Sequence, residues 1–228
     1  MLNDVVKLQN MSDIWQDLLP AKTYVSYGTL DENFPELSAI EQNSFGLVSH
    51  QRRREIQAGR MHGKNALLNM NIYGVDIPKN FNGSPKWPLG TVGSITHTQH
   101  LAKSYVAATV ASSEYIQALG IDVQWLDLMR PDLWSYFLTN DEINCLLQQQ
   151  LTKRNILANS IWCLKESAIK AVGYGDMLSW QVTYQSFNVG INEFILSNKK
   201  ARSKCDLTGK SVNYQGLTLA AVYSVNKH

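Results

Sequence analysis

Cysteine is scarce in this chain, with three in 228 residues, Cys145, Cys163 and Cys205. An odd number at wide spacing excludes a disulfide framework and provides no paired spacing to cradle zinc, so a reducing, cytoplasmic setting is expected. Proline is also sparse, at six residues, and no Gly/Ser-rich linker divides the sequence. A large excess of one charge is missing as well: 21 Lys and Arg stand against 19 Asp and Glu, a formal net charge of +2. That balance argues against nucleic acid as a partner, because a polyanion-binding surface needs a clear basic excess. Long hydrophobic runs are absent too. The longest, such as Leu217 to Val222, fall far short of the roughly 20 residues that span a bilayer. Met1-Leu2-Asn3-Asp4 has no basic segment leading into an apolar one, so neither a membrane span nor a secretory leader is expected. What the chain does have is apolar bulk, 44% of residues with 10% aromatic, spread along its length. A packed core follows, of one large or two small domains.

The pattern through about Pro35 reads only as strand and loop, around Val25-Ser26-Tyr27-Gly28. From Ser49 to Met70 the periodicity is helical, with Ile56, Gly63, Leu67 and Met70 on one stripe. The cluster Asn82-Gly83-Ser84-Pro85 is a turn, followed by a short strand ending at His97. Leu101 to Val110 and Leu119 to Trp125 read as strands. Thr139 followed three residues later by Glu142 matches a capping box opening a helix over Ile143 to about Gln150. A second helix, about Asn155 to Val172, stops before Gly173. Alternation returns in Trp180 to Val189, Phe194 to Leu196 and Gly216 to Val225. The expected class is α+β, with helix plus antiparallel-type strands in each half.

Three constellations carry chemical interest. Period two places Asp122 and Gln124 on one strand face, where two oxygen-bearing side chains could meet a hard cation or simply face water. Glu166 and Lys170, four apart, share a helix face with Lys165 beside them. That spacing also suits an ordinary surface ion pair of roughly 0.2–0.5 kcal/mol, but Trp162, Ala168 and Ile169 make the helix largely buried. Arg60 lies on the apolar stripe of the first long helix, which implies a buried carboxylate or a phosphate as its partner. Gly59 and Gly63 leave room beside it for another chain or a ligand. Arg53, seven residues before Arg60, shares its face, so the helix phase prefers Arg53 among Arg52-Arg53-Arg54 as its companion. His97 and His100 do not make a metal site without a third ligand.

Four segments, taken in order, resemble the 4'-phosphopantetheinyl transferases of the siderophore-type branch. They are Arg52-Arg53-Arg54-Glu55 with Ala58-Gly59-Arg60; Pro85-Lys86-Trp87-Pro88 with Gly93-Ser94-Ile95-Thr96-His97; Gly120-Ile121-Asp122-Val123; and Trp162 through Ala171, containing Lys165-Glu166-Ser167. The resemblance implies two similar α+β halves related by pseudo-twofold symmetry, residues 1–118 and 119–228, with coenzyme A and Mg2+ between them. It implies transfer of the 4'-phosphopantetheine arm from coenzyme A to a serine of an acyl or peptidyl carrier protein; a cytoplasmic monomer is expected beside it. By position it gives Asp122, Gln124 and Glu166 to the metal, and Glu166 and Lys170 to catalysis. Arg52, Arg60, Lys86, Thr96, His97 and Lys165 go to coenzyme A; here the resemblance prefers Arg52 where the helix phase prefers Arg53. Many relatives carry an acid where this chain has Gln124, so its metal site is expected to lack one charge. Carriers are acidic around their serine, and Leu128-Met129-Arg130 through Phe137 is a candidate docking surface or a helix packed on the core. Two rival classes are a non-catalytic coenzyme A-binding module and a carrier-docking domain without activity.

Overall fold

Helices and strands alternate in blocks along the chain, and two long helices organise everything else. The structure is a computed structural model that describes residues 10–126, 130–188, 190–200 and 206–226. Its order is α1 (Met11–Leu18), β1 (Thr23–Gly28), α2 (Ala39–Phe45), α3 (His50–Leu68), β2 (Thr91–His100), β3 (Lys103–Ser112), β4 (Ile116–Trp125), α4 (Asn140–Leu147), α5 (Leu151–Val172), β5 (Trp180–Asn188), β6 (Ile191–Asn198), β7 (Asp206–Tyr214) and β8 (Leu217–Val225). A 3-10 helix, Pro131–Tyr136, precedes α4. The class is α+β.

Two antiparallel sheets result, one ordered β1-β3-β2 and the other β4-β8-β7-β6-β5. Helix α3 packs on the first and α5 on the second. Glycines permit both contacts. A Cβ on Gly59 would come within 2.7 Å of Ile95 on β2, and one on Gly120 within 1.9 Å of the Ser167 carbonyl of α5. The space beside Gly59 and Gly63 is therefore filled by Ile95, Ile77 and Trp87, and admits no second chain or ligand.

The edge strands β2 and β4 meet side by side, and their contact is made by hydroxyls. Ser94 Oγ accepts from Ile121 N at 3.1 Å, Thr96 Oγ1 from Val123 N at 3.2 Å, and Thr98 Oγ1 donates to Gln124 at 2.6 Å. Both strands advance in the same direction through these pairs. On the face away from α3 and α5, Ile14, Trp15 and Leu18 of α1 join Ala107, Ile121 and Leu219 in one apolar cluster across the junction.

Most elements expected from the sequence are present, with shifted ends. His97 lies inside β2 and not at a strand end, and α5 begins four residues earlier than its periodicity suggested, at Leu151. The Thr139/Glu142 capping box opens α4. Helices α1 and α2 and strand β7 are additions to the elements expected from the sequence. The first sheet ends at Ser112 and the second opens at Ile116, so Ala118 falls inside β4.

Candidate active site

The close approach at Gly120 brings α5 onto β4 and sets Lys170 over Asp122. Lys170 Nζ lies 2.6 Å from Asp122 Oδ1 and 3.3 Å from the Ile121 carbonyl. Asp122 is 7% exposed, and its Oδ1 also accepts from Thr96 Oγ1 at 3.0 Å. One turn before Lys170, Glu166 faces the same region. Burial pushes its carboxyl above the usual range; Lys170 pulls it down and the Asp122 charge pushes it up again. Two carboxylates and one ammonium therefore converge where the two halves meet.

Among the described residues no group of three or more His, Cys, Asp or Glu side chains is placed to hold a metal. The donor set is instead a pair of hard carboxylates, with the charge on Asp122 raising the cost of ionising Glu166. Mg2+ fits such a pair, since it takes one or two carboxylates and completes its octahedron with water and substrate phosphates. The Gln124 side-chain oxygen is engaged within the protein: Oε1 accepts from Thr98 at 2.6 Å and from Trp125 N at 3.2 Å.

A cleft of about 710 Å³ runs from this point between the halves, lined by Arg52, Glu55, Arg60, Lys86, His97 and Lys170 among others. Ser49 caps α3 and accepts from Arg52 N, which starts the helix so that Arg52 and Arg60 both reach the cleft. Arg52 Nη1 lies 2.8 Å from Glu55 and 3.4 Å from His97 Nε2, and His97 Nε2 lies 3.2 Å from Glu55. Burial lowers the pKa of His97; Glu55 opposes this, while Arg52 and Lys170 reinforce it. The neutral ring is favoured. Arg60 is 6% exposed, donates Nε–H to the Ile77 carbonyl and stacks 4.9 Å from the Phe45 ring. Burial brings its pKa down to about 10, partly offset by Glu41, so it keeps its charge at neutral pH. At the far end Asn82 Nδ2 reaches the Gly173 carbonyl at the end of α5, at 3.4 Å.

Several expectations are corrected by this geometry. Arg53 pairs with Glu36 at 2.7 Å and is not among the cleft residues, whereas Arg52 is, so sharing a helix face with Arg60 does not bring Arg53 to the cleft. Lys165 does not reach the cleft: it is fully buried, 2.6 Å from Glu142 and 2.8 Å from the Phe137 carbonyl. Thr96, 1% exposed, donates its one hydroxyl hydrogen to Asp122 and accepts from Val123 N, so that hydrogen is committed within the protein. Lys170 makes its short ion pair across to β4, not simply along its own helix. Of the expected docking segment, Leu128 and Met129 lie outside the described residues, Trp134 and Phe137 are core, and Tyr136 is exposed. Glu55 and Thr98 emerge as polar partners that the sequence pattern did not single out; Glu55 at three residues from Arg52 was the available signal.

The family model described as the 4'-phosphopantetheinyl transferase N-terminal domain matches residues 45–110, which hold α3 and the β2 half of the cleft. The model of the 4'-phosphopantetheinyl transferase superfamily matches residues 118–221, which hold Asp122, Glu166 and Lys170. The chain is 36% identical over 84 residues to the 4'-phosphopantetheinyl transferase Npt of Nocardia iowensis, a stretch covering 37% of this chain and 36% of that protein. The match thus spans little more than a third of that relative's length. A solved structure, the holo-acyl-carrier-protein synthase of Thermotoga maritima, is similar with a TM-score of 0.39 and 18% identity, over 50% of this chain and 65% of that one. Because two models of one family match in tandem, one on each wall of the cleft, the chain belongs to the 4'-phosphopantetheinyl transferase superfamily.

Proposed function

We propose that this protein transfers the 4'-phosphopantetheine group of coenzyme A to a serine of an acyl or peptidyl carrier protein, in a Mg2+-dependent reaction. The observation that carries the reading is a cationic cleft ending at a carboxylate pair. Arg52, Arg60, Lys86 and His97 suit a ligand with several phosphates, and Lys170 lines the same cleft with Asp122 2.6 Å from its ammonium and Glu166 one turn before it. Arginine forks and a lysine charge hold phosphate oxygens well in a partly buried site.

In the reaction, the carrier serine oxygen forms a bond to the phosphorus bearing the pantetheine arm. The bond from that phosphorus to the bridging oxygen breaks, and adenosine 3',5'-bisphosphate leaves. Serine is a weak nucleophile until its proton is taken. Glu166 takes it, directly or through a water, as the carboxylate beside Lys170 and Asp122. Lys170 offsets the charge that develops on the leaving phosphate. Bound Mg2+ would be held by Asp122 and Glu166 and would supply neutralisation of the diphosphate.

Mass spectrometry of apo carrier proteins incubated with the protein, coenzyme A and Mg2+ tests this reading: a gain of one phosphopantetheine supports it, and no gain across several carrier types overturns it. Siderophore-type peptidyl carriers come first on the motif resemblance, then polyketide and fatty-acid carriers.

A further inference from the structure

We infer that the hydroxyls of β2 select which oxygens of β4 a cation meets: Thr96 presents Asp122 to it, and Thr98 withholds Gln124 from it. This rests on the reading above, and concerns two positioning residues and not the reacting groups.

The three hydroxyls of the seam stand at alternate positions of one strand, so they share one face. They do different things. Ser94 Oγ accepts from Ile121 N, a bond that only joins the halves. Thr96 makes the equivalent bond to Val123 N and in addition donates its own hydrogen to Asp122 Oδ1. With Lys170 Nζ on the same oxygen, Oδ1 carries two donors, and the carboxylate plane is fixed at 7% exposure. Thr98 donates to Gln124 Oε1 at 2.6 Å, and Trp125 N donates to the same atom. An amide oxygen has two lone pairs, and both are engaged. The Gln124 side chain has no other atom that binds a hard cation, since its amide nitrogen is a donor only. The side chain two residues from Asp122 on the same face is thus held back from ligation by a threonine, and Asp122 and Glu166 remain as the protein's two ligands. The hydrogen-bond partners of metal ligands typically affect affinity by about 10- to 100-fold, which sets the scale.

The test uses Mn2+ as the probe, with the full-length protein at saturating coenzyme A and no carrier, so that no chemistry occurs; bound Mn2+ is counted from the electron paramagnetic resonance of the free ion. Thr96→Val is expected to weaken the Mn2+ midpoint about tenfold. Thr96→Ser, which restores the hydroxyl, is expected to restore the midpoint to within about twofold, and Ser94→Ala, which removes a seam bond without touching Asp122, to leave it unchanged. Gln124→Met keeps the shape and deletes the oxygen, and is expected to stay within about twofold of the parent. Should Thr96→Val be insoluble, Thr96→Ala, which also deletes the hydroxyl, takes its place with the same expected loss. A large loss in Gln124→Met overturns the withholding by Thr98. Equal midpoints for Thr96→Val and the parent, or a loss in Ser94→Ala matching that of Thr96→Val, overturn the role of Thr96. Failure of the parent itself to modify any carrier overturns the transferase reading instead.

Discussion

The two halves of this molecule are braced by the same device at opposite degrees of burial. In the first half Ser38 caps α2 in a capping box with Glu41, and Glu41 accepts from Lys64 on α3 and from the Ile77 N–H. In the second half Thr139 caps α4 in a capping box with Glu142, and Glu142 accepts from Lys165 on α5 and from the Val182 N–H. Each glutamate lies 23 residues before its lysine, and one constant offset carries Ser38, Glu41 and Lys64 onto Thr139, Glu142 and Lys165. The same offset places the exposed Asn65 of α3 and Asn69 at its C-terminal cap where α5 has Glu166 and Lys170. The frame is shared, and the candidate chemistry occupies one copy of it.

The difference lies in solvent. The Lys64 side chain is 35% exposed, whereas Lys165 is fully buried. Burial pulls the Lys165 pKa down and Glu142 holds it up. For Glu41, burial pushes the pKa up, but donors from Ile77, Lys64 and Ser38 win and keep it below the usual range. A buried pair loses strongly when one member is removed, because the other is left as an uncompensated charge. The Lys64–Glu41 attraction is instead screened by water at the lysine, and Glu41 keeps the Ile77 and Ser38 donors and the nearby Arg60 charge when Lys64 is gone.

The largest effect should therefore separate the two braces. Lys165→Met is expected to cost about 3–5 kcal/mol of folding stability in urea denaturation, and Lys64→Met less than about 1 kcal/mol. Equal losses would break the comparison.

Next in size is the catalytic contrast. Glu166→Gln and Lys170→Ala should each lower turnover by about 100-fold, read by the rate of carrier modification at saturating coenzyme A. Asn65→Ala, the matching position on α3, should leave turnover alone; near-normal rates in the first two would remove α5 from the chemistry. Glu166→Gln should also change the pH dependence of stability without added metal. Because folding raises the Glu166 pKa, the folded state binds that proton more tightly than the unfolded chain does. Stability from this group is present at low pH and is lost as pH rises through the carboxylate range, and the glutamine variant should lack that loss.

A smaller effect belongs to the first half. Arg60→Ala should weaken coenzyme A about tenfold in equilibrium titration while changing affinity for a dephospho analogue little. Equal losses with both ligands would make Arg60 a structural residue, held by Ile77 and Phe45.

The smallest concerns His62, which the same offset pairs with Cys163. It is 3% exposed, hydrogen-bonded through Nδ1 to Ser26 at 2.8 Å, and burial lowers its pKa below 6.5 despite Glu32. The unfolded chain takes up that proton first, so stability is full above about pH 6.5 and falls as pH drops toward the folded value. His62→Gln should flatten this acid-side decline in thermal melts at pH 5 to 7, and Cys163→Ser should not.

Local pattern and spacing were enough for α3, α4, α5 and most strands, because amphipathic periods, capping boxes and Gly173 are written in neighbouring residues. Helix α2 was legible in principle, since Ser38 and Glu41 form the same capping signal that located α4. Strand β7 carries little apolar alternation, and its pairing with β6 and β8 holds it in place. The roles of Lys165 and Thr96 were not legible for a different reason. Lys165 adjoins Glu166 in sequence, yet successive residues on a helix point about 100° apart, so one faces the core and its neighbour the cleft.

By itself, the sequence determined the α+β class, the two long helices, and which residue types bear cation-binding and phosphate-binding chemistry, since composition, periodicity and motif order are local properties. Only the tertiary structure decided that Arg52 faces the cleft and Arg53 does not, that Lys165 braces the core, and that Asp122 meets both Lys170 and Thr96. Those outcomes depend on how α5 docks over Gly120 and how β2 lies against β4, contacts between residues far apart in the chain, whose distances and competing partners no local pattern records.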